Sequence, residues 1–208
     1  MNLGEFHDDV RASLGRGTSL DALIPSWTRR AALWIERNRT LQYMRKYAVV
    51  EIDIETNDTP RFIEIEGAGF KAVEMLRWIT ADGEYHAVTP KDPRDFPRLE
   101  TGTPIYYWLD GVSRIVLAST PNENLSGELV VATYTSWPGQ LTAQHWLLDA
   151  AFDVLFARTM MNYARHARDA GAYQTYKTEL DDALLGLYAA DDELIYSGAD
   201  LAMNYSGG

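Results

Sequence analysis

The sequence predicts an α+β protein: a helical core assembled from both ends of the chain, with a small antiparallel β lobe inserted between them. Two changes of pattern predict it. Apolar residues recur at three- and four-residue steps before residue 45 and after residue 137, whereas between them the period drops to two and turns follow in quick succession. The stretch Leu141–Asp169 is also Ala-rich, free of Gly and Pro, and apolar on nearly every helical face, as expected of a central buried helix. The expected organisation is residues 1–45, N-terminal core helices; 46–136, the β-rich lobe; 137–190, a C-terminal helical pair; and 191–208, an extended arm.

Leu3, Phe6, Val10 and Leu14 make residues 2–14 a short amphipathic helix that stops at Gly15. A second helix starts at Thr18 or Ser19, both good N-caps, and presents Leu20, Leu23, Ile24, Trp27, Ala31, Trp34 and Ile35 on its apolar side. Pro25 kinks or restarts it. The opposite side, with Arg29, Arg30, Glu36, Arg37 and Arg39, is the most basic patch of the chain. It is either a solvated helix face or a contact for an acidic partner surface or DNA.

Val50, Ile52 and Ile54 alternate with Glu51, Asp53 and Glu55, the pattern of a half-buried strand closed by TNDTP. RFIEIEG and KAVEMLRWIT repeat it. PKDPRDFPR, dense in proline, is an irregular excursion. PIYYWLDGVSRIVLAST is a hairpin turning at Asp110-Gly111, and GELVVATYT is a further strand after the PNENLSG turn. Beyond the central helix Gly171 breaks the chain. Tyr173, Tyr176, Leu180, Leu184 and Leu187 then form the stripe of a last helix over residues 172–189, folded back on the central one. The tail SGADLAMNYSGG has too little apolar surface to order alone.

With 208 residues, 46% hydrophobic and 24% charged, the chain is long enough for one sizeable core with an elaboration. Its formal charge of −11 argues against a protein that grips nucleic acid phosphate. There is no cysteine, so thiolate and disulfide chemistry are absent. The segment MNLGEFHDDV lacks an export signal, and no apolar run has membrane-span length, so a soluble protein is expected. Phosphate-loop, HExxH, GxSxG and EF-hand motifs are missing. The four histidines, His7, His86, His145 and His166, show no ligand spacing. No catalytic residue, metal site or cofactor is therefore expected. Asp149 and Asp153, one turn apart on the central helix, either share a proton or a cation or mark its solvent strip. Asp8-Asp9, Asp181-Asp182 and Asp191-Asp192 read as solubilising surface. Tyr106, Tyr107 and Trp108 either stack on a sugar or pack in a core, with Tyr107 on the face opposite the other two.

Taken in order, xxFxxDVRASLGRG, LDALIPSWTRRAALWIERN, the alternating strands, GTPIYYWLDG, RIVLASTP (114–121) with the strand after it, the long helical pair and the terminal SGADLAM (197–203) resemble the head-to-tail adaptor (connector) proteins of tailed bacteriophages. The resemblance spans the chain; the proline-rich excursion departs from it. It implies a virion structural protein without enzymatic activity, assembled in the host cytoplasm. Its partners would be the portal protein, the tail (nozzle or tail-tube) proteins and identical subunits in a twelvefold ring. DNA would pass through without specific binding, and no membrane is involved. It also implies a tail bound to the portal or to a neighbouring subunit, and Leu201, Met203 and Tyr205 alternate as strand addition requires. The basic face with Arg29, Arg30 and Arg37 is the second candidate interface. The alternatives are another virion ring component, such as a head-completion or tail-terminator protein, and a carbohydrate-binding tail module.

Overall fold

The computed structural model describes residues 1–15, 18–54, 61–64, 70–79, 82–95, 100–111, 114–133 and 145–203. The chain divides into two compact units: Met1–Tyr43 with Thr135–Gly208, and Met44–Tyr134 between them in sequence.

The first unit is helical. Helix α1 (Leu3–Leu14) opens on a capping box, with the Asn2 side chain accepting from the Glu5 N–H and the Glu5 carboxylate accepting from the Asn2 N–H. It closes on Gly15 at φ 56°, the left-handed cap that glycine adopts without a Cβ clash. Pro25 restarts the next segment. A 3-10 stretch over Thr18–Leu23 gives way to α2 (Ile24–Asn38), with the proline in the first turn, where its missing N–H costs nothing. Trp27, Ala31, Ala32 and Ile35 are buried along α2.

The expected central helix is two helices. Its first four residues, Leu141–Gln144, lie outside the described residues. Helix α3 (Trp146–Asp149) is a single turn capped by His145, whose Nδ1 accepts from the Leu147 N–H at 3.1 Å. The helix path breaks at Ala150–Ala151, and α4 runs from Phe152 to Ala167. The Asp-Ala-Ala sequence carries no breaker; burial of Leu147, Leu148, Ala151, Val154 and Leu155 on both sides accompanies the offset. Phe152 and Phe156 meet Phe6 edge-on, at ring-centroid distances of 5.7 and 6.4 Å, which fixes α1 on α4.

Arg168, not Gly171, makes the next turn. It sits at φ 56°, and the Asp169 carboxylate then caps α5 (Ala170–Met203) by accepting from the Ala172 N–H at 2.9 Å. Gly171 lies inside that helix. The Tyr173–Leu187 stripe packs on α4 as expected, but the helix continues past residue 189 to Met203. The expectation of an extended arm from residue 191 is therefore corrected as far as Met203. The side chains of 196–203, Leu201 and Met203 among them, and residue Tyr205 lie outside the described residues.

Of the pair expected as solubilising surface, Asp191 is instead buried. Asp191 is 1% exposed and accepts from the Gln42 N–H at 2.6 Å, at the start of the 3-10 turn Gln42–Met44. Asp192 pairs with Arg39, whose guanidinium also lies 4.7 Å over the Tyr188 ring. Asn38 donates to the Tyr188 hydroxyl at 2.8 Å, so the end of α2 and the middle of α5 are tied at several points.

The second unit is a pair of facing sheets. Its strands are β1 (Arg45–Ile52), β2 (Phe62–Glu64), β3 (Phe70–Ile79), β4 (Tyr85–Ala87), β5 (Thr89–Pro90), β6 (Glu100–Thr101), β7 (Tyr106–Asp110), β8 (Arg114–Leu117), β9 (Ser119–Thr120) and β10 (Leu125–Thr133). One sheet is antiparallel in the order β1-β10-β3-β4; the other is β2-β8-β7-β5. In the second, β5 pairs parallel to β7, and β6 and β9 form a short parallel ladder of their own; the other strand pairings are antiparallel, as expected of the lobe. The proline-rich excursion thus begins with a strand, and Pro90 is tolerated because β5 is an edge. Ile52, Leu76, Trp78, Leu129 and Val131 of one sheet pack on Ile63, Tyr107, Ile115 and Leu117 of the other. Trp78 lies across Gly127 of β10: a Cβ there would come within 2.5 Å of the indole and of the Arg77 carbonyl. The Trp78 Nε1–H donates to the Pro104 carbonyl at 3.0 Å, which holds the ring in place.

Candidate functional site

The candidate site is a cleft of about 560 Å³ in the helical unit, lined by Trp27, Arg30, Leu33, Trp34 and Arg37 of α2 and by Arg158, Asn162, Arg165 and His166 of α4. Residues four and three apart share a helix face, so Arg30, Trp34 and Arg37 form one stripe and Arg158, Asn162 and Arg165 another, set against it. The stripes are held together at the backbone, where the Asn162 side-chain amide donates to the Trp27 carbonyl at 3.0 Å. Trp27 is buried, with the His166 ring 5.5 Å from its own. The floor of the cleft is aromatic and its walls are cationic.

Arg158 is half-buried, its guanidinium 4.5 Å over the Trp34 ring. Burial first, and the like charge of Arg165 second, hold its pKa below the usual arginine range, with Tyr173 opposing. It remains a cation. Its Nε is buried without a hydrogen-bond partner among the described residues. Arg165 donates to the Tyr173 hydroxyl at 2.9 Å.

Ion pairing elsewhere sharpens the contrast. Arg11, Arg39, Arg45, Arg77, Arg94 and Arg114 each meet a carboxylate of their own chain. Among the described residues Arg30, Arg37, Arg158 and Arg165 meet none, and no acidic side chain lines their cleft. In a chain of net charge −11, four arginines gathered without an anion make a surface whose electrostatics are incomplete. Such a site can accept carboxylates in forked hydrogen bonds, with the half-buried Leu33 beside them as an apolar contact.

Two of the three arginines singled out in the sequence, Arg30 and Arg37, line this cleft; Arg29 is exposed outside it. Glu36, expected on the same charged face, is fully buried. Its Oε1 lies 3.7 Å from Nε2 of buried His145, whose pKa is lowered by burial despite the raising effect of Glu36. Sequence reasoning missed Arg158, Asn162, Arg165 and His166 as a site, because a helix apolar on nearly every face was expected where α4 carries a polar stripe at steps of four, three and one. Asp149 and Asp153 fall on different helices, and Asp149 accepts from the amino group of Met1 at 3.1 Å. Among the described residues no cluster of three or more His, Asp or Glu is placed to hold a metal. Nor is any helix there long and apolar enough to cross a membrane. The aromatic run alternates as expected, with Tyr107 buried and Tyr106 and Trp108 half-buried. Lys91 stands 4.6 Å over the Tyr106 ring and Arg61 5.8 Å over that of Trp108, so both rings already carry a cation.

Compared with known proteins, residues 1–202 match the family model described as SU10 adaptor protein. No curated protein matches the chain. The match covers nearly the whole sequence, and the chain belongs to the SU10 adaptor family, in agreement with its resemblance to phage head-to-tail adaptors.

Proposed function

We propose that this member of the SU10 adaptor family assembles as a ring of identical subunits beneath the portal of a tailed phage, passes DNA through its lumen and offers the surface to which the tail attaches. The observation that carries the reading is the combination of a family match over residues 1–202 with a cleft of four arginines that, among the described residues, meet no carboxylate. A protein whose role is to be bound on several sides leaves such surfaces unsatisfied until a partner arrives. The role asks no catalysis of the chain and no cofactor. The excess of carboxylates suits a passage along which DNA slides, because a lumen without clustered cations gives its phosphates nothing to hold. The virion is the place of action and the host cytoplasm the place of assembly.

Two surfaces serve the assembly in this reading. One is the basic face that contains Arg30 and Arg37, with Arg29 beside them. The other is the C-terminal segment 197–208 with Leu201, Met203 and Tyr205, which docks on the portal or on a neighbouring subunit. The test is the particle mass of the full chain alone and mixed with the cognate portal protein, followed by imaging of any complex. A ring on the portal that weakens when residues 197–208 are removed is expected. A chain that stays monomeric and leaves the portal unbound overturns the reading.

A further inference from the structure

We infer that the arginine cleft between α2 and α4 receives the outward face of α5 from a second copy of this chain, with Asp182 and Glu193 supplying the carboxylates and Leu185 the apolar anchor. The inference rests on the adaptor reading and names the junction by which its subunits join.

The cleft specifies its ligand closely. Four guanidinium groups share the cleft with the half-buried side chains of Leu33 and Trp34, so the occupant brings carboxylates together with an apolar side chain. DNA fits poorly: a duplex presents phosphates along a long groove and has no apolar group for Leu33, and the rest of the chain is acidic. A helix with spaced acids around a leucine fits both parts.

Helix α5 has that face. At 100° per residue, Leu180, Leu187 and Asp191 fall together on the side buried within the unit, and Thr178, Asp182, Leu185 and Ala189 fall opposite. Leu185 is 70% exposed, more than any other large apolar side chain among the described residues. Asp182 and Glu193 are exposed and, among the described residues, form no ion pair. Small residues at Gly186 and Ala189 allow another helix close approach. Among the described residues, one chain thus carries a basic cleft and an acidic face at different places, neither of them ion-paired. Two unlike, complementary patches make a head-to-tail contact, and repetition of that contact closes a ring when its rotation permits.

The test uses the full-length chain, alone over a concentration range and with the cognate portal protein, with particle mass as readout and the far-UV spectrum as a check of folding. Arg37 and Asp182 are exposed, so their reversal leaves the core intact. Arg37→Glu and Asp182→Arg are each expected to raise the concentration for half-assembly at least about tenfold, as like charges now face each other. In the proposed junction Asp182 meets Arg37, the exposed arginine at the end of α2, so the combined variant R37E/D182R is expected to recover to within about threefold of the parent, the pair being restored with its signs exchanged. Leu185→Ala is expected to weaken assembly without changing its salt dependence. Arg94→Glu, the same charge change on a side chain 88% exposed in the sheet unit, controls for net charge and is expected to assemble like the parent. Assembly unaffected by Arg37→Glu, or a combined variant no better than its two parents, overturns this junction while a ring on the portal leaves the adaptor reading standing. A parent chain that forms no multi-copy particle, alone or on the portal, overturns both.

Discussion

Adjacent aspartates Asp191 and Asp192 are predicted to differ severalfold in their contribution to stability. Asp191 is 1% exposed and its carboxylate takes the Gln42 N–H at 2.6 Å; Asp192 has a side chain 48% exposed and pairs with Arg39 at the surface. Asp191→Ala leaves a part-buried backbone donor unpaired and removes a hydrogen bond to a charged acceptor, together about 2–3 kcal/mol. Asp192→Ala removes a solvent-screened pair worth less than about 1 kcal/mol. For a chain of this size each kcal/mol moves Tm by about 2–4 °C, so losses of roughly 4–12 °C and under about 4 °C are expected. Asp191→Asn retains an acceptor oxygen and should fall between. Thermal unfolding followed by circular dichroism, with urea titration for ΔG, reads all three. Equal effects at the two positions, or Asp191→Ala within about 0.5 kcal/mol of the parent, would refute the reasoning and return Asp191 to the surface.

Gly127→Ala should destabilise the sheet unit by about 1–3 kcal/mol, because the new methyl group meets the Trp78 ring and the Arg77 backbone at 2.5 Å. Urea unfolding monitored by tryptophan fluorescence tests it, and Trp78→Phe in the same chain should soften the effect by narrowing the ring. His145 is held below its usual pKa of 6.5 by burial, and His7 by burial and then by Arg11, so both favour the neutral form when folded. The unfolded chain therefore binds more protons. Stability is complete above pH 6.5 and falls as pH drops through that value towards the folded pKa values. Tm at pH 7.5 and pH 5.5 should show the loss, and His145→Asn, which keeps an acceptor at the α3 cap, should reduce it; an identical drop in the variant would remove His145 from the account. In the cleft, Arg158→Met should leave stability within about 1 kcal/mol of the parent, because a flexible apolar side chain can cover the Trp34 ring in place of the guanidinium and, among the described residues, no carboxylate is left unpaired. A loss above about 3 kcal/mol in urea titration would mean that a carboxylate satisfies it.

Most of the architecture was legible because local chemistry and burial agree. The apolar spacing of residues 2–14, Gly15, the Asp110-Gly111 hairpin and the alternation around Tyr107 each declare their geometry in a few residues. What was not legible depends on distant partners. Nothing in Asp-Ala-Ala announces the break before Phe152, and nothing in Asp191-Asp192 says that one of them will find the Gln42 N–H about 150 residues away. Glu36 looked like part of a charged face until His145 closed over it. Half of the cleft was visible as Arg30 and Arg37, since a basic helix face stands out in an acidic chain. The other half was hidden by the apolar neighbours of Arg158 and Arg165, although their spacing with Asn162 was a helix stripe in plain view.

The arginine cleft joins residues far apart in sequence: the Asn162–Trp27 hydrogen bond closes a loop of 135 residues, with the whole sheet unit inside it. A growing chain exposes α2 well before α4 leaves the ribosome, and during that interval the sheet unit can fold by itself. The cleft is therefore a late product of synthesis. Nascent chains crowded on one messenger carry arginines on an unfinished helix but no receptor, so the surface that would join copies comes into being only once each copy has closed its own loop.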